Sequence, residues 1–288
     1  MPKVLGIVAS PRKLGNCEIV AKEMARCLPA DCEMQLLRLQ DFNIEPCIAC
    51  YRCLFGDQTC VLKDDLAELM EAVSSADALV VVSPTYFLGA NAALKRIADR
   101  GLSFYSRIDQ LWGKPAVGIG IAGIPDKEGR TLLDLRSFLK FLMADVRTVS
   151  MLFGALPGEV FEDPVNREKV ASAAATLLGP AAVQSGPCCP LCGGDTFRFL
   201  SSARVQCMLC SNLGRIDLAD GQTVFNIESG THELFLTRED ALHHADWLRG
   251  MRERFLDRRV TLKKITGLYR GGAVWIRPLK GQREDKDG

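Results

Sequence analysis

Read from the amino terminus, apolar and polar positions fall into blocks whose period switches between continuous and helical. KVLGIVAS (3–10) is an unbroken apolar run rich in Val, Ile and Leu. Such runs suit a strand covered on both faces of a parallel sheet. After SPRKLGNC, the run CEIVAKEMARCL (17–28) has helical spacing, with Ile19, Val20, Met24 and Leu28 on one side. The alternation then repeats. Strands are predicted at 33–39, 77–84, 115–123 and 146–154, and helices at 64–76, 91–104, 130–144 and 166–179. DALVVVSP (77–84) is the strongest buried strand of the set. Five strands alternating with five helices predict a doubly wound α/β domain over residues 1–182.

Beyond a linker, QSGP (184–187), the pattern predicts a small α+β domain over 187–288. TFRFL and ARVQ read as short strands. Thr237-x-x-Asp240 reads as a capping box opening a helix to about Arg254, with Ala241, Ala245, Leu248, Met251 and Phe255 as its apolar stripe. His243 and His244 then fall on its solvated flank. Residues 258–279 read as a hairpin turning at Arg270-Gly271-Gly272, followed by an unstructured polar tail, GQREDKDG.

Ligands of doubly wound sheets sit beyond the carboxyl ends of the strands. Three loops leave such ends with suitable chemistry. Ser10-Pro11-Arg12-Lys13-Leu14-Gly15-Asn16-Cys17 offers backbone amides, a helix start and an arginine, an anion seat that is neither G-x-G-x-x-G nor a Walker loop. Ser83-Pro84-Thr85-Tyr86-Phe87-Leu88-Gly89 carries an aromatic pair able to cover a flat ring. The stretch from Ala122 through Gly123 to Gly129 is a flexible loop at the same end. The plainer alternatives are a helix-starting turn for the first loop and core or interface aromatics for the second.

The charge of +1 offers no global pull on nucleic acid, and no apolar run of the 288 residues is long enough to span a bilayer. The first ten residues do not resemble a signal peptide, so a cytoplasmic location is expected. Twelve cysteines in such a chain point to metal or redox chemistry rather than disulfides. Cys47, Cys50, Cys53 and Cys60 form C-x2-C-x2-C followed by a fourth thiol, a compact way to hold a 4Fe–4S cube. Zinc competes, although structural zinc favours two separated C-x2-C pairs, and plain packing is the third reading. Cys189, Cys192, Cys207 and Cys210 are two such separated pairs. They predict a zinc-ribbon-like site, with a rubredoxin-like iron as the other occupant and Cys188 as a poorer substitute ligand. Cys17, Cys27 and Cys32 read as small packing residues. From Arg249 to Arg283, eleven Lys or Arg face only Glu253 and Asp257. That segment is a solvated surface or a dock for an acidic protein such as ferredoxin; nucleic acid is less favoured. No Ser–His–Asp or Cys–His constellation is evident, and His232, His243 and His244 all lie outside the first domain.

ASPRKLGN, the cysteine loop ending in Asp64-Asp65, SPTYF and LKRIADR (94–100) together resemble the NAD(P)H-dependent FMN reductase family of flavodoxin-like proteins. More narrowly the chain resembles the iron–sulfur flavoproteins within it, over roughly residues 3–180. The resemblance implies a flavodoxin-like fold with FMN phosphate held at Ser10, Arg12, Gly15, Asn16 and Cys17. Pro84, Thr85, Tyr86, Phe87 and Gly123 would surround the isoalloxazine, and Cys47, Cys50, Cys53 and Cys60 in loop 45–62 would carry the cluster. Cys17 departs from the Ser or Thr usual there. The resemblance further implies NAD(P)H or ferredoxin as donor and a homodimer or homotetramer. The expected function is an FMN- and 4Fe–4S-dependent oxidoreductase or electron-transfer protein. Its alternatives are an FMN or quinone reductase with an empty cysteine loop, and a redox-responsive nucleic-acid-binding module using the ribbon.

Overall fold

The structure is a computed structural model that describes residues 1–180, 186–219, 221–272 and 276. Five parallel strands form the central sheet: β1 (Lys3–Val8), β2 (Glu33–Arg38), β3 (Ala78–Tyr86), β5 (Pro115–Ala122) and β6 (Asp145–Phe153). Their order is β2-β1-β3-β5-β6, and a two-residue strand β4 (Gly89–Ala90) folds back antiparallel onto β3. This is the flavodoxin-like order, with its switch point between β1 and β3. The inner strands β1, β3 and β5 bury both sides, which is why their sequences run apolar without alternation, whereas the edge strand β2 leaves Glu33, Gln35 and Leu36 exposed. Val4, Val8, Val80 and Val82 pack under α1 (Asn16–Cys27) and α6 (Pro164–Leu178). Leu5, Ile7, Leu79 and Val81 pack under α2 (Leu66–Ser75), α3 (Ala92–Ala98) and α5 (Thr131–Phe141).

Glycine sets one approach that matters for the site. A Cβ on Gly120 of β5 would lie 2.4 Å from Met151 Sδ and 2.9 Å from Thr131 Cγ2. The bare backbone therefore lets the start of α5 settle against the strand, beside the loop after β3. The helix expected over 91–104 stops at Ala98. A 3-10 stretch, Gly101–Arg107, follows, and then α4 (Ile108–Leu111). Gly101 lies against the Phe141 ring, where a Cβ would meet Cε2 at 2.3 Å. Residues Met1–Asp246 form one compact unit and Trp247–Gly288 a second.

The first unit also contains the ribbon. Its strands β7 (Phe197–Phe199), β8 (Arg204–Cys207), β9 (Leu213–Ala219) and β10 (Gln222–Ile227) form an antiparallel sheet in the order β10-β9-β8-β7. Strands β7 and β8 correspond to TFRFL and ARVQ. The β9–β10 hairpin was not expected, although Asp-Gly at 220–221 between alternating runs is a strong turn signal; Gly221 has φ +76°. The helix expected to run to about Arg254 is α7 (Arg238–Arg249), interrupted at Gly250. His244 is half-buried rather than on the solvated flank, while His243 is exposed.

In the second unit the expected hairpin is corrected. Residues Met251–Gly267 form a helix, α8, which buries none of its residues. Val260 and Thr261 suggest a strand, but Arg258, Arg259, Leu262, Lys263 and Lys264 are stronger helix formers and outweigh them. The expected second strand lies mostly outside the described residues, as do linker residues 184–185 and the tail 281–288. No helix among the described residues is long and apolar enough to cross a membrane.

Leu135 sits at the centre of the α5 face with no solvent exposure. Leu135→Ala is expected to lower the unfolding free energy by about 2–5 kcal/mol, read as a shifted urea midpoint at unchanged slope.

Candidate functional site

The loop after β1 ends in an uncapped helix. Gly15 is the N-cap of α1 and makes no side-chain cap bond. The backbone N–H groups of Asn16, Cys17 and Glu18 belong to the first turn and have no intrahelical partner, so the turn is prepared for an anion. A Cβ on Gly15 would stand 2.9 Å from Arg12 Cβ, so only glycine closes the loop this tightly. Arg12 is exposed at its rim. Ser10 is buried, and its Oγ accepts from Arg12 N at 3.3 Å. Asn16 is not a free phosphate ligand through its side chain. Its Nδ2 donates to Gly154 O (2.9 Å) and its Oδ1 accepts from Gly158 N (2.8 Å), stitching α1 to the turn after β6. Burial pushes the Cys17 thiol up to about 12, partly offset by a bond with Ser10, so it remains a protonated donor at neutral pH.

Two residues of this loop were not picked out from the sequence. Glu18 is buried and accepts from Leu14 N (2.8 Å), Lys22 Nζ (2.7 Å) and Arg38 Nη2 (2.6 Å). Arg38, at the end of β2, also donates to Arg12 O at 2.9 Å. Lys22, then Arg38 and the Leu14 amide, hold the Glu18 carboxyl down to about 2. These contacts fix the left-handed Leu14 (φ 52°) and shape the seat.

The second and third loops meet each other. Tyr86 pairs with Gly89, and the two residues between, Phe87 (φ 47°) and Leu88 (φ 63°), both have positive φ. That is the type I′ signature, normally met with Asn-Gly. Two side-chained residues there store of order 1 kcal/mol each or more, and the turn pushes Phe87 fully into solvent. Leu88 O accepts from Arg130 N at 2.8 Å, and Ala90 N donates to Asp134 Oδ2 at 2.9 Å. Gly129 fits against Leu88 only because it lacks a Cβ, which would fall 2.4 Å from Leu88 Cβ. Thr85 Oγ1 and Thr131 Oγ1 are 2.9 Å apart. Pro84 precedes them on β3, and Gly123 faces Ala155 at the far side. Glu128 Oε2 is shut away from solvent with no partner among the described residues. An uncapped helix start, exposed aromatic and aliphatic side chains and an orphaned acceptor fit a phosphorylated, flat heterocycle with a polar edge.

The cysteine loop is closed at its base by carboxylates. Asp64 Oδ2 accepts from Glu45 N (2.8 Å), Asp65 Oδ2 accepts from Asn43 N (2.6 Å), and Asp65 N donates to Asn43 O (3.0 Å). Arg100 locks this base. Its Nη1 donates to Asp64 Oδ2 (2.5 Å) and Glu45 O (2.7 Å), and its Nη2 donates to Cys60 Sγ (3.1 Å). The Asp64 and Arg100 side chains are each 1% exposed. Burial works to raise the Asp64 pKa, but Arg100 and the Glu45 and Leu66 amides outweigh it and hold the carboxyl below its ordinary value.

Above this base Cys47, Cys50, Cys53 and Cys60 line one cavity of about 210 Å³ with Ile48 and Leu102. Burial, then the Cys60 thiol and after it Cys50 and Cys47, pushes Cys53 up to about 11. The sulfurs of Cys189, Cys192, Cys207 and Cys210 are arranged differently: they all lie within 4.8 Å of one another. Cys189–Cys210 and Cys192–Cys207 are 3.8 and 3.6 Å apart. A tetrahedral ion with metal–sulfur bonds of about 2.3 Å sets its ligands about 3.8 Å apart, so this set fits one ion. The loop sulfurs do not close to that spacing, and a cube needs them farther apart than one ion does. Cys188 is outside the ribbon set.

Residues 2–155 match the family described as NADPH-dependent FMN reductase. A curated iron–sulfur flavoprotein of Methanocaldococcus jannaschii is 33% identical over 121 residues, 40% of this chain and 62% of that protein. One of Archaeoglobus fulgidus is 29% identical over 169 residues, 57% of this chain and 74% of that protein. The chain thus spans less than two thirds of the length of the first of these. The solved structure of a flavone reductase shares the fold with a TM-score of 0.67 at 19% identity, over 96% of this chain and 100% of the other.

Asp64→Ala would leave Arg100 buried without its partner. The expected loss is about 3–5 kcal/mol, measured by chemical denaturation at pH 7. Glu18 has a depressed folded-state pKa, so its stabilisation is complete above its ordinary 4.5 and is lost as pH falls toward about 2. Glu18→Gln is expected to flatten that part of the acid-unfolding curve and leave the curve above pH 5 parallel to wild type.

Proposed function

The chain belongs to the NADPH-dependent FMN reductase family, and from that premise we propose that it is a flavin- and iron–sulfur-dependent oxidoreductase or electron carrier fed by NAD(P)H or ferredoxin. The observation that carries the cluster half of this reading is the cavity lined by all four loop thiols, with the buried Arg100 donating to Cys60. FMN supplies two-electron hydride chemistry and a 4Fe–4S cluster passes electrons singly, so the pair exchanges one currency for the other.

The chain's own residues would divide the work as follows. Arg12, Ser10 Oγ and the first-turn amides of Asn16, Cys17 and Glu18 bind the phosphate, while Gly15 lets the loop close tightly and Arg38 and the Glu18 carboxylate hold it in shape. Asn16 fixes the neighbouring turn and contributes its backbone. The Thr85–Thr131 contact and the rigid turn at Tyr86–Phe87, following Pro84, set one wall for the ring, and Gly123 keeps the opposite loop low. Glu128 Oε2 offers an acceptor to the ring's polar edge. Cys47, Cys50, Cys53 and Cys60 would hold the cluster, and Arg100 donates to the Cys60 sulfur. Cys189, Cys192, Cys207 and Cys210 would hold a structural Zn²⁺.

The rim of this end exposes Leu14, Phe87, Leu88, Ile124 and Leu156, each more than half accessible. Such an apolar crown fits cover by a second copy, and a homodimer or homotetramer is the assembly we assign.

Protein purified without air is expected to contain one FMN, about four iron and four acid-labile sulfides per chain, and one zinc. Cys50→Ala and Cys53→Ala should lose the sulfide and keep the flavin. Flavin without any sulfide in the wild type would return the plain reductase. Arg12→Ala should weaken FMN binding by about 10- to 100-fold, the worth of one charge-assisted contact, in a fluorescence-quenching titration.

A further inference from the structure

A cavity of about 400 Å³ opens beside the last turns of α5. Its lining comes from the end of α3, the 3-10 stretch after it, α5, the ribbon and α7, all within the first unit. The volume falls in the range of about 300–1,000 Å³ usual for small-molecule sites. The start of α5 touches the flavin end through Thr131 and Thr85. Lys140 is nine residues further on, about 14 Å along the helix axis, so the cavity is a separate place.

One wall is aromatic and fixed. The Phe141 ring meets Phe104 edge-on at 5.3 Å and Phe138 at 5.9 Å, centroid to centroid. Gly101, also on the lining, leaves room for that ring. Tyr105 and Phe235 add two more rings, and Leu209 and Leu234 complete the apolar part. Such a surface suits the faces and edges of a flat ring.

Two polar side chains on the lining are donors in search of an acceptor. Neither the Lys140 ammonium nor the Tyr105 hydroxyl has a hydrogen bond or ion pair among the described residues. Burial raises the Tyr105 pKa above its ordinary value, so the hydroxyl stays a donor at neutral pH. Asp99 is the one carboxylate on the lining, and it pairs with Lys95 on its own helix. His244 also lines the cavity, but its Nδ1 already meets His232 Nε2 at 2.8 Å, so it is not counted as an anchor. We infer that this cavity is a binding site for a small aromatic carboxylate, its ring against Phe141 and Phe235 and its two oxygens on Lys140 and Tyr105. A charge-assisted bond to the ammonium is the stronger of the two contacts. A cation would be repelled by Lys140, and a wholly apolar ring would leave the ammonium without a partner.

The position gives such a ligand a reach beyond its own pocket. Asp99 and Leu102 line this cavity and the cavity of the four loop thiols alike. The two spaces therefore share a wall, and a bound ring would press on residues that also face the thiols. The competing reading is a water-filled gap left where the ribbon packs against α5.

The test uses the full chain with its cofactors in place and trans-cinnamate as the probe. Calorimetry is expected to show saturable binding with a Kd below about 1 mM, and cinnamamide, the uncharged counterpart, should bind about tenfold more weakly. Lys140→Met should weaken cinnamate by about tenfold or more and erase the preference for acid over amide. Tyr105→Phe should cost a few-fold, and Ser137→Trp, at the rim, should block the site. FMN content should be unchanged in all three. In the unaltered protein, saturating cinnamate should shield Lys140 from acetylation by acetic anhydride, read by peptide mass spectrometry. Absence of saturable binding, equal affinity for acid and amide, wild-type affinity in Lys140→Met and Ser137→Trp, or unshielded Lys140 would each overturn the inference. The acetylation experiment decides the matter even where a variant does not fold.

Discussion

Asp64 and Arg100 meet with almost no water around either side chain, and much of the cysteine loop's order hangs on that contact. Taking both charges out of water costs several kcal/mol each, which only good geometry and further hydrogen bonds can offset. The structure supplies them: two backbone amides and a second carboxylate contact for Asp64, a carbonyl and a sulfur for Arg100. The result couples four pieces of chain far apart in sequence. The segment before α2, Arg100 just past α3, the residues at 43–45 and the thiol at 60 cannot shift independently. A loop that brings four thiols around one cavity needs such a rigid base.

Two sets of four cysteines show how spacing decides chemistry. The ribbon knuckles turn through Gly193–Gly194 and Ser211 and bring their sulfurs to the separations of one tetrahedral ion. Gly194 is hemmed in by Cys192 and Cys207 sulfurs at 3.3 and 3.1 Å from where a Cβ would be, so the knuckle leaves no room for a side chain. The loop at 47–60 uses the same residue type around one cavity with a cationic neighbour. Thiol count alone would not distinguish them; the backbone between the thiols does.

The inner strands were readable because burial on both faces writes itself as unbroken apolar runs, and all five strands sit within a few residues of the predicted ones. The two cysteine sets were legible from their intervals. What stayed hidden were contacts between distant positions. Glu18 lies in the first turn of α1 and Arg38 at the end of β2, and nothing local in the sequence joins them. Arg100 and Asp64 were each visible in a motif, but their pairing is a property of the folded chain. The segment after Gly250 misled because Val260 and Thr261 weigh heavily in a short window, while helix-forming neighbours on both sides decide the outcome. His232 and His244 lie in two segments whose closeness no periodicity encodes.

The turn at Phe87–Leu88 has a bearing on how this chain can drift. Its left-handed backbone is kept by the Arg130 amide and by the bare α-carbon of Gly129 pressed against Leu88. A side chain at 129 would collide with the turn, and a differently shaped turn would leave 129 unconstrained. The two positions are therefore bound to be inherited together: in descendants of this chain, residue 129 can abandon glycine only in a lineage where the hairpin at 87–88 has already been remade.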